Sequence, residues 1–166
     1  MDKISIAMAT YNGALYLREQ LDSLYKQTLL PDEVVVSDDC STDETPQILE
    51  EYHQKYGLIY IINKLNVGFN KNFENALRHT KGDYIMICDQ DDIWFPNKIE
   101  ILYNAIKEYE EPFEPGLVCS NVVDVDSDLN IMVKKNTSFK AYDDYFYYNS
   151  HTQGCTTIMN QRLKEL

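Results

Sequence analysis

Asp89-Gln90-Asp91-Asp92 puts three carboxylates within four residues. Carboxylates this close repel one another unless positive charge sits among them. A hard divalent cation with oxygen ligands meets that need. Mg²⁺ and Mn²⁺ commonly take one or two protein carboxylates together with substrate phosphates. The same spacing also suits a solvated acidic turn that caps the next helix, and spacing alone leaves both readings open. The segment in front favours the cation, because Tyr84–Cys88 (YIMIC) reads as a buried strand that would deliver the cluster to its end.

Asp38-Asp39 is a second carboxylate pair at the end of an apolar run. It could hold a second metal, or accept hydrogen bonds from an N–H on a nucleobase. A helix-start cluster is the competing reading, since Ser41 and Asp43 follow at once. Tyr11 could stack on a base or simply pack. The stretch Asp124-Val-Asp126-Ser-Asp128-Leu-Asn130 looks like the start of a calcium loop. It fails where geometry matters, with Leu129 at the sharp-turn position and Lys135 at the bidentate position, and it reads as a hairpin turn. His53 and His79 fall on predicted helix surfaces. His151 precedes the polar segment Thr152-Gln153-Gly154-Cys155, which could face a ligand; a nucleophilic pair of Cys155 with His151 is a minor alternative. There is no GxSxG, no phosphate-binding P-loop and no GxGxxG, which argues against a dinucleotide-dependent dehydrogenase.

These residues need a frame. Ile4–Ala9 is a short apolar run ending at Thr10-Tyr11-Asn12-Gly13, a strand followed by a turn. Leu17, Leu21, Leu24 and Tyr25 follow at helical spacing. Val34-Val35-Val36 is a β-branched strand stopping at Asp38. Ser41 and Glu44 are spaced as in a capping box, and Ile48, Leu49, Tyr52 and Tyr56 continue that helix. Leu58–Ile62 is a third strand, and Phe69, Phe73, Ala76 and Leu77 mark a third helix. After YIMIC, Pro96 is expected to open a helix carrying Ile99, Leu102, Tyr103 and Ile106. Leu117–Val123 is a fifth strand, and Gln161–Leu166 reads as the start of a helix. Residues 143–148 are acidic and aromatic, with no clear period. Strands alternating with helices predict an α/β domain with a mostly parallel sheet covered on both faces. Ligands of such sheets lie outside the carboxyl ends of the strands. Thr10-Tyr11-Asn12, Asp38-Asp39 and Asp89–Asp92 all fall at such ends.

The 166 residues suffice for one domain with a core, and 44% hydrophobic content excludes a disordered chain. A net charge of −12 argues against nucleic acid as a partner, because those surfaces cluster Lys and Arg. An anionic ligand then needs a local device such as a metal ion. Cys40, Cys88, Cys119 and Cys155 are widely spaced, without a CxxC pair, and read as free thiols in a reducing cytoplasm. The N-terminal apolar run is too short for a signal peptide or a spanning helix. The expected place is the cytoplasm, at the inner face of the membrane if peripheral contacts come from sequence outside this chain.

Four segments, SIAMATYNG, VVVSDDCSTDET, NVGFNKNFENAL and GDYIMICDQDDIWFPNKI, resemble the family 2 glycosyltransferases, and among them the bacterial rhamnosyltransferase-like members. They come in the family's order and span about the first hundred residues. The resemblance implies the GT-A fold, a Rossmann-like nucleotide-diphospho-sugar transferase fold, cut short on its C-terminal side. Residues 1–166 would form a single domain, with 1–100 the donor-binding half and 101–166 the start of the acceptor-side half. Thr10 and Tyr11 would lie along the nucleotide. Asp39 would read a pyrimidine base, with Asp38 beside it and Lys71 and Asn72 near base and ribose. Asp89 would approach the ribose or the metal. Asp91 would ligate Mn²⁺ or Mg²⁺ at the diphosphate, and Asp92 would touch the donor sugar or orient Asp91. Gln153-Gly154-Cys155-Thr156 resembles the acceptor side.

The implied activity moves a sugar from a UDP- or dTDP-sugar, with inversion, to a saccharide or lipid-linked saccharide in cell-surface polysaccharide synthesis. Inversion needs a general base for the acceptor hydroxyl. The family's pattern puts an Asp some tens of residues after Gly154, so the base is expected beyond Leu166. Asp143 and Asp144 precede that segment and do not replace it. Two other readings remain: a nucleotidyltransferase-like two-metal enzyme, and a non-catalytic donor-binding fragment.

Overall fold

The computed structural model describes residues 2–126, 128–134 and 154–166. Among the described residues eight strands and five α-helices follow one another. They are β1 (Ile4–Thr10), α1 (Leu17–Tyr25), β2 (Glu33–Asp38), α2 (Thr45–Tyr56), β3 (Ile59–Ile62), α3 (Phe69–His79), β4 (Tyr84–Cys88) and α4 (Lys98–Tyr109). Then come β5 (Leu117–Cys119), β6 (Val123–Val125), β7 (Ile131–Lys134), a 3₁₀ turn (Gly154–Thr156), β8 (Thr157–Asn160) and α5 (Gln161–Lys164).

The main sheet has the order β3-β2-β1-β4-β8-β5. β1 pairs in parallel with β2 and with β4, and β2 in parallel with β3. β8 is inserted antiparallel between β4 and β5. The expected α/β domain with a mostly parallel sheet is therefore present.

Alternation along β1 decides which helix covers which face. Ile4, Ile6 and Met8 point into the larger core with Leu17, Leu21 and Leu24 of α1, Ile48 and Leu49 of α2, and Ile99, Leu102 and Ile106 of α4. The intervening residues are small: Ser5, Ala7 and Ala9. That face meets α3, where Ala76 packs on Ala7 and Ile85. Small residues on both sides let helix and sheet approach closely. Chain order reverses between β1 and β4, because β2 and β3 lie on one side of β1 and β4 on the other. Such a switch point opens a crevice at the carboxyl ends of the two strands.

Some local expectations are corrected. α2 starts at Thr45, after an N-cap Glu44 that makes no side-chain cap bond. Ser41 does not form the capping box, because its hydroxyl is taken by Asp38 Oδ1 at 2.5 Å and by the Asn12 amide at 2.8 Å. Pro96 does not open α4, which begins at Lys98. The Phe95 and Pro96 carbonyls instead accept from Gln27 Nε2 and the Thr28 amide, tying this loop to the end of α1. The single strand expected over Leu117–Val123 is two strands in different sheets. Its ladder with β8 stops at Cys119, and Ser120 N–H bonds the Thr156 carbonyl. The segment from Asp124 to Asn130 does form a hairpin turn, between β6 and β7. Asp126 Oδ1 accepts the amides of Asp128 and Asn130, each at 2.9 Å. Among the described residues no helix is long and apolar enough to cross a membrane.

Candidate functional site

The crevice at the switch point is a cleft of about 540 Å³. Its walls are Ala9, Thr10 and Tyr11 from the end of β1, Asp39 after β2, and Asn66, Gly68, Phe69 and Asn72 around the start of α3. Asp89, Gln90 and Asp91 after β4 complete it. The volume falls within the range of roughly 300–1,000 Å³ usual for small-ligand and cofactor sites. Three strand ends that are far apart in sequence thus meet in one space.

Asp39 is 2% exposed and is part of the cleft lining. Oδ1 accepts from Val67 N–H at 2.8 Å and Asn63 Nδ2 at 3.0 Å, and Oδ2 accepts from Gly68 N–H at 2.9 Å. Burial pushes its carboxyl up, but these three hydrogen bonds together outweigh it and hold the group below its ordinary value. Asp39 therefore stays an acceptor and anchors the loop between β3 and α3. Gly68 ends that loop at φ 88, a conformation that favours glycine. Asn72 joins the same network, donating to the Thr10 carbonyl at 3.1 Å and accepting from Asn63 at 3.0 Å.

Asp38 lies elsewhere. It is fully buried, and its oxygens take the Thr10 hydroxyl, the Ser41 hydroxyl and the Ser41 amide. It braces the ends of β1 and β2 from within, outside the cleft lining. Lys71 is exposed on α3, also outside the lining. Tyr11 is 50% exposed at the cleft wall.

Asp89 and Asp91 line the cleft. Asp92 is not part of that lining, but one of its oxygens, one from Asp89 and the Cys155 sulfur lie within 4.8 Å of one another, so Asp89 belongs to both groups. Asp92 Oδ2 is buried without a hydrogen-bond partner. Burial, and then the negative charges of Asp92 and Asp91, push Asp89 up to about 6. The orphaned Asp92 oxygen, and an Asp89 carboxyl raised by burial and then by Asp92 and Asp91, mark a cluster that a divalent cation would relieve, so the carboxylates of Asp89, Asp91 and Asp92 fit one.

Lys98 partly answers the same charge from behind. Its ammonium donates to the Cys155 carbonyl at 2.5 Å and sits 3.9 Å from the centroid of the Trp94 ring. Burial pulls it below its ordinary value, while Cys88, Cys155, Asp92 and Asp89 work the other way. It ties α4 to the 3₁₀ turn that carries Gly154 and Cys155. Burial and the adjacent Asp92 push the Cys155 thiol up to about 12, which suits a packed residue better than a nucleophile. Four cysteines are free. His151, Gln153, Asp143, Asp144 and the rest of 143–148 lie outside the described residues.

The raised Asp89 carboxyl has a measurable consequence. A carboxyl held above its unfolded value favours folding when protonated, and that contribution is lost as pH rises from about 4 through about 6. Lowered carboxyls such as Asp39 lose stability only below the unfolded value, so they do not offset it in this window. In EDTA, Tm is expected to rise as pH falls from 7 to 5, and Asp89→Asn to flatten the rise. A wild-type profile already flat over this range would contradict the account.

A sequence model described as "Glycosyl transferase family 2" matches residues 5–164. The chain belongs to glycosyl transferase family 2. It is 32% identical over 166 residues to the dTDP-rhamnosyl transferase RfbG of Shigella flexneri, covering 93% of this chain and 54% of that one. It is 39% identical over 94 residues to an uncharacterized protein of Mycobacterium tuberculosis, covering 55% and 27%. Among solved structures, S. aureus TarS 1-349 superposes with a TM-score of 0.74 at 28% identity, over 98% of this chain and 48% of that one. The same protein in complex with UDP gives 0.72, over 94% and 46%. A Pyrobaculum calidifontis mannosyltransferase, in complex with GDP-Man and Mn²⁺, gives 0.71 at 24% identity, over 99% and 46%, and supports the fold. The fold is GT-A. The chain spans about a quarter to a half of the length of these relatives.

The sequence reading missed Gln90, Asn63, Asn66, Phe69 and Lys98 as parts of this site. Gln90 and Lys98 stand inside the motif it quoted, but their partners lie 79 and 57 residues away. No local pattern announces such contacts.

Proposed function

We propose that this chain binds a nucleoside-diphosphate sugar as the donor part of a glycosyltransferase, with a divalent cation at Asp91 and Asp89. One observation carries the reading: a single cleft joins an ionised hydrogen-bond acceptor at Asp39 to paired carboxylates at Asp89 and Asp91. The first suits a base with a ring N–H, the second a diphosphate bridged by metal. The resemblance to a dTDP-rhamnosyl transferase, and to TarS solved with UDP and with UDP-GlcNAc, supports a UDP- or dTDP-sugar donor.

Bound Mg²⁺ or Mn²⁺ would supply Lewis acidity at the leaving diphosphate. The residues do the rest. Asp39, Asn72 and Tyr11 hold the nucleoside, and Asp89 and Asp91 hold the cation. Thr10 and Asp38 keep the floor of the cleft in place. Gly154 and Cys155, linked to α4 through Lys98, form the approach for the acceptor, for which a saccharide or lipid-linked saccharide is the expected class. Single-displacement inversion requires a base for the acceptor hydroxyl. We assign that base to none of the described residues, because Asp89 and Asp91 serve the cation and Asp92 lies against Asp89 and Cys155.

The two-metal nucleotidyltransferase alternative needs a second carboxylate set facing the first. Asp38 and Asp39 are its candidates, and their oxygens already accept six protein hydrogen bonds. Titration calorimetry with UDP, dTDP, GDP and CDP, each in Mn²⁺, Mg²⁺ or EDTA, tests the proposal. Binding of UDP or dTDP that requires a divalent cation is expected. Equal binding in EDTA would remove the metal from the reading, and binding of none of the four would overturn it.

A further inference from the structure

We infer that Gln90 is a positioning residue that couples the cation end of the cleft to its nucleoside end. The inference rests on the nucleotide-binding reading above and deepens it. The β1–β4 ladder ends at the Met8–Cys88 pair, and the segments that follow it on the two strands line the cleft. The Gln90 side chain joins them. Its Oε1 accepts from Tyr11 N–H at 2.9 Å, and its Nε2 donates to the Tyr11 carbonyl at 3.3 Å. The backbone of one residue offers one donor and one acceptor, and a primary amide answers both. A glutamate would oppose the Tyr11 carbonyl with an oxygen and add a fourth negative charge beside Asp89, Asp91 and Asp92.

Gly13 supplies independent support for the fit. A Cβ there would overlap Gln90 Oε1 and Cδ. The Gly13 φ is not in the left-handed region, so glycine is not required for its backbone conformation. The room it leaves is occupied by the Gln90 amide. Gln90 also stands between two carboxylates that line the cleft, while Tyr11 lines the same cleft from β1. A cation that fixes the 89–91 turn thereby fixes Tyr11, and by reciprocity a nucleotide held at Tyr11 favours the cation.

The test separates this role from a merely structural one. Mn²⁺ affinity without nucleotide is read by electron paramagnetic resonance, and UDP and dTDP affinity in saturating Mn²⁺ by calorimetry. Gln90→Ala is expected to leave Mn²⁺ binding within about twofold and to weaken the nucleotide about tenfold, the scale of two lost hydrogen bonds at a coupled turn. Gly13→Ala displaces the amide without altering Gln90 and is expected to do the same. The double variant should show no further loss. Unchanged nucleotide affinity in Gln90→Ala, or an equal fall in Mn²⁺ affinity, would overturn the inference. Wild-type protein that binds neither nucleotide would overturn the proposed function instead. Amide exchange then decides the clamp by itself: Tyr11 N–H should exchange faster in Gln90→Ala, and an unchanged rate refutes it.

Discussion

Asp91→Ala is expected to abolish the thermal stabilisation that a nucleoside diphosphate gives in the presence of Mn²⁺. A ligand at about 100 times its Kd stabilises a folded protein by about 2.7 kcal/mol. In a domain of this size each kcal/mol moves Tm by about 2–4 °C. The wild type should therefore gain roughly 5–10 °C with UDP or dTDP and Mn²⁺, and nothing comparable in EDTA. Asp91 is exposed and lines the cleft, so its loss should change the unliganded Tm little. Its removal also takes one negative charge from beside Asp89, which lets Asp89 ionise more readily. That second effect makes the variant a strict test, because a generic acidic patch would survive it. Differential scanning fluorimetry of both proteins, with and without Mn²⁺, decides the matter. A shift retained in Asp91→Ala would move the cation site elsewhere.

The sequence revealed most of what alternation along strands controls. Val34-Val35-Val36 and YIMIC are apolar on both faces because both faces are covered, and that pattern alone calls for a parallel sheet. The strand ends followed, and with them Tyr11, Asp39 and Asp89–Asp92. Helix starts were less legible. The Ser41–Glu44 spacing suggested a cap, but Ser41 found a nearer acceptor in Asp38, and tertiary hydrogen bonds outcompeted the local motif. Pro96 failed for a related reason, since Gln27 and Thr28, just after α1, capture the Phe95 and Pro96 carbonyls.

Directions of side chains were the least legible part. Three neighbouring carboxylates look equivalent in sequence, yet Asp89 and Asp91 line the cleft and Asp92 does not, while Asp89 and Asp92 both approach Cys155. Asp38 and Asp39 are adjacent and both buried, yet one braces strands outside the cleft lining and the other is part of that lining. Successive residues at a strand end point to opposite sides. Which side faces a ligand depends on the register of β1 between β2 and β4, a property of the whole sheet.

Asp39 gives the sharpest test of that distinction, because it serves the fold and the ligand at once. Asp39→Ala leaves Val67 N–H, Gly68 N–H and Asn63 Nδ2 without their acceptor. A buried donor so orphaned costs about 1–3 kcal/mol, and these part-buried donors cost less because water can enter, so a loss on the order of 3 kcal/mol for the three together is expected. Asp39→Asn isolates the second role. One amide oxygen can still accept from Val67 and Asn63, while the new NH₂ opposes Gly68 N–H, and the loss should be about 1–2 kcal/mol. The change at the cleft is larger in kind. A carboxylate accepts from the ring N–H of uracil, thymine or guanine, whereas cytosine offers a lone pair at that position. The amide nitrogen introduced by Asp39→Asn would meet the ring N–H with a second donor, and the cytosine lone pair with a complement. UDP or dTDP affinity should fall at least about tenfold, and CDP should gain relative to both. If Asp39 only anchored the loop, denaturant titration would show the stability loss while the nucleotide preference stayed as in the wild type.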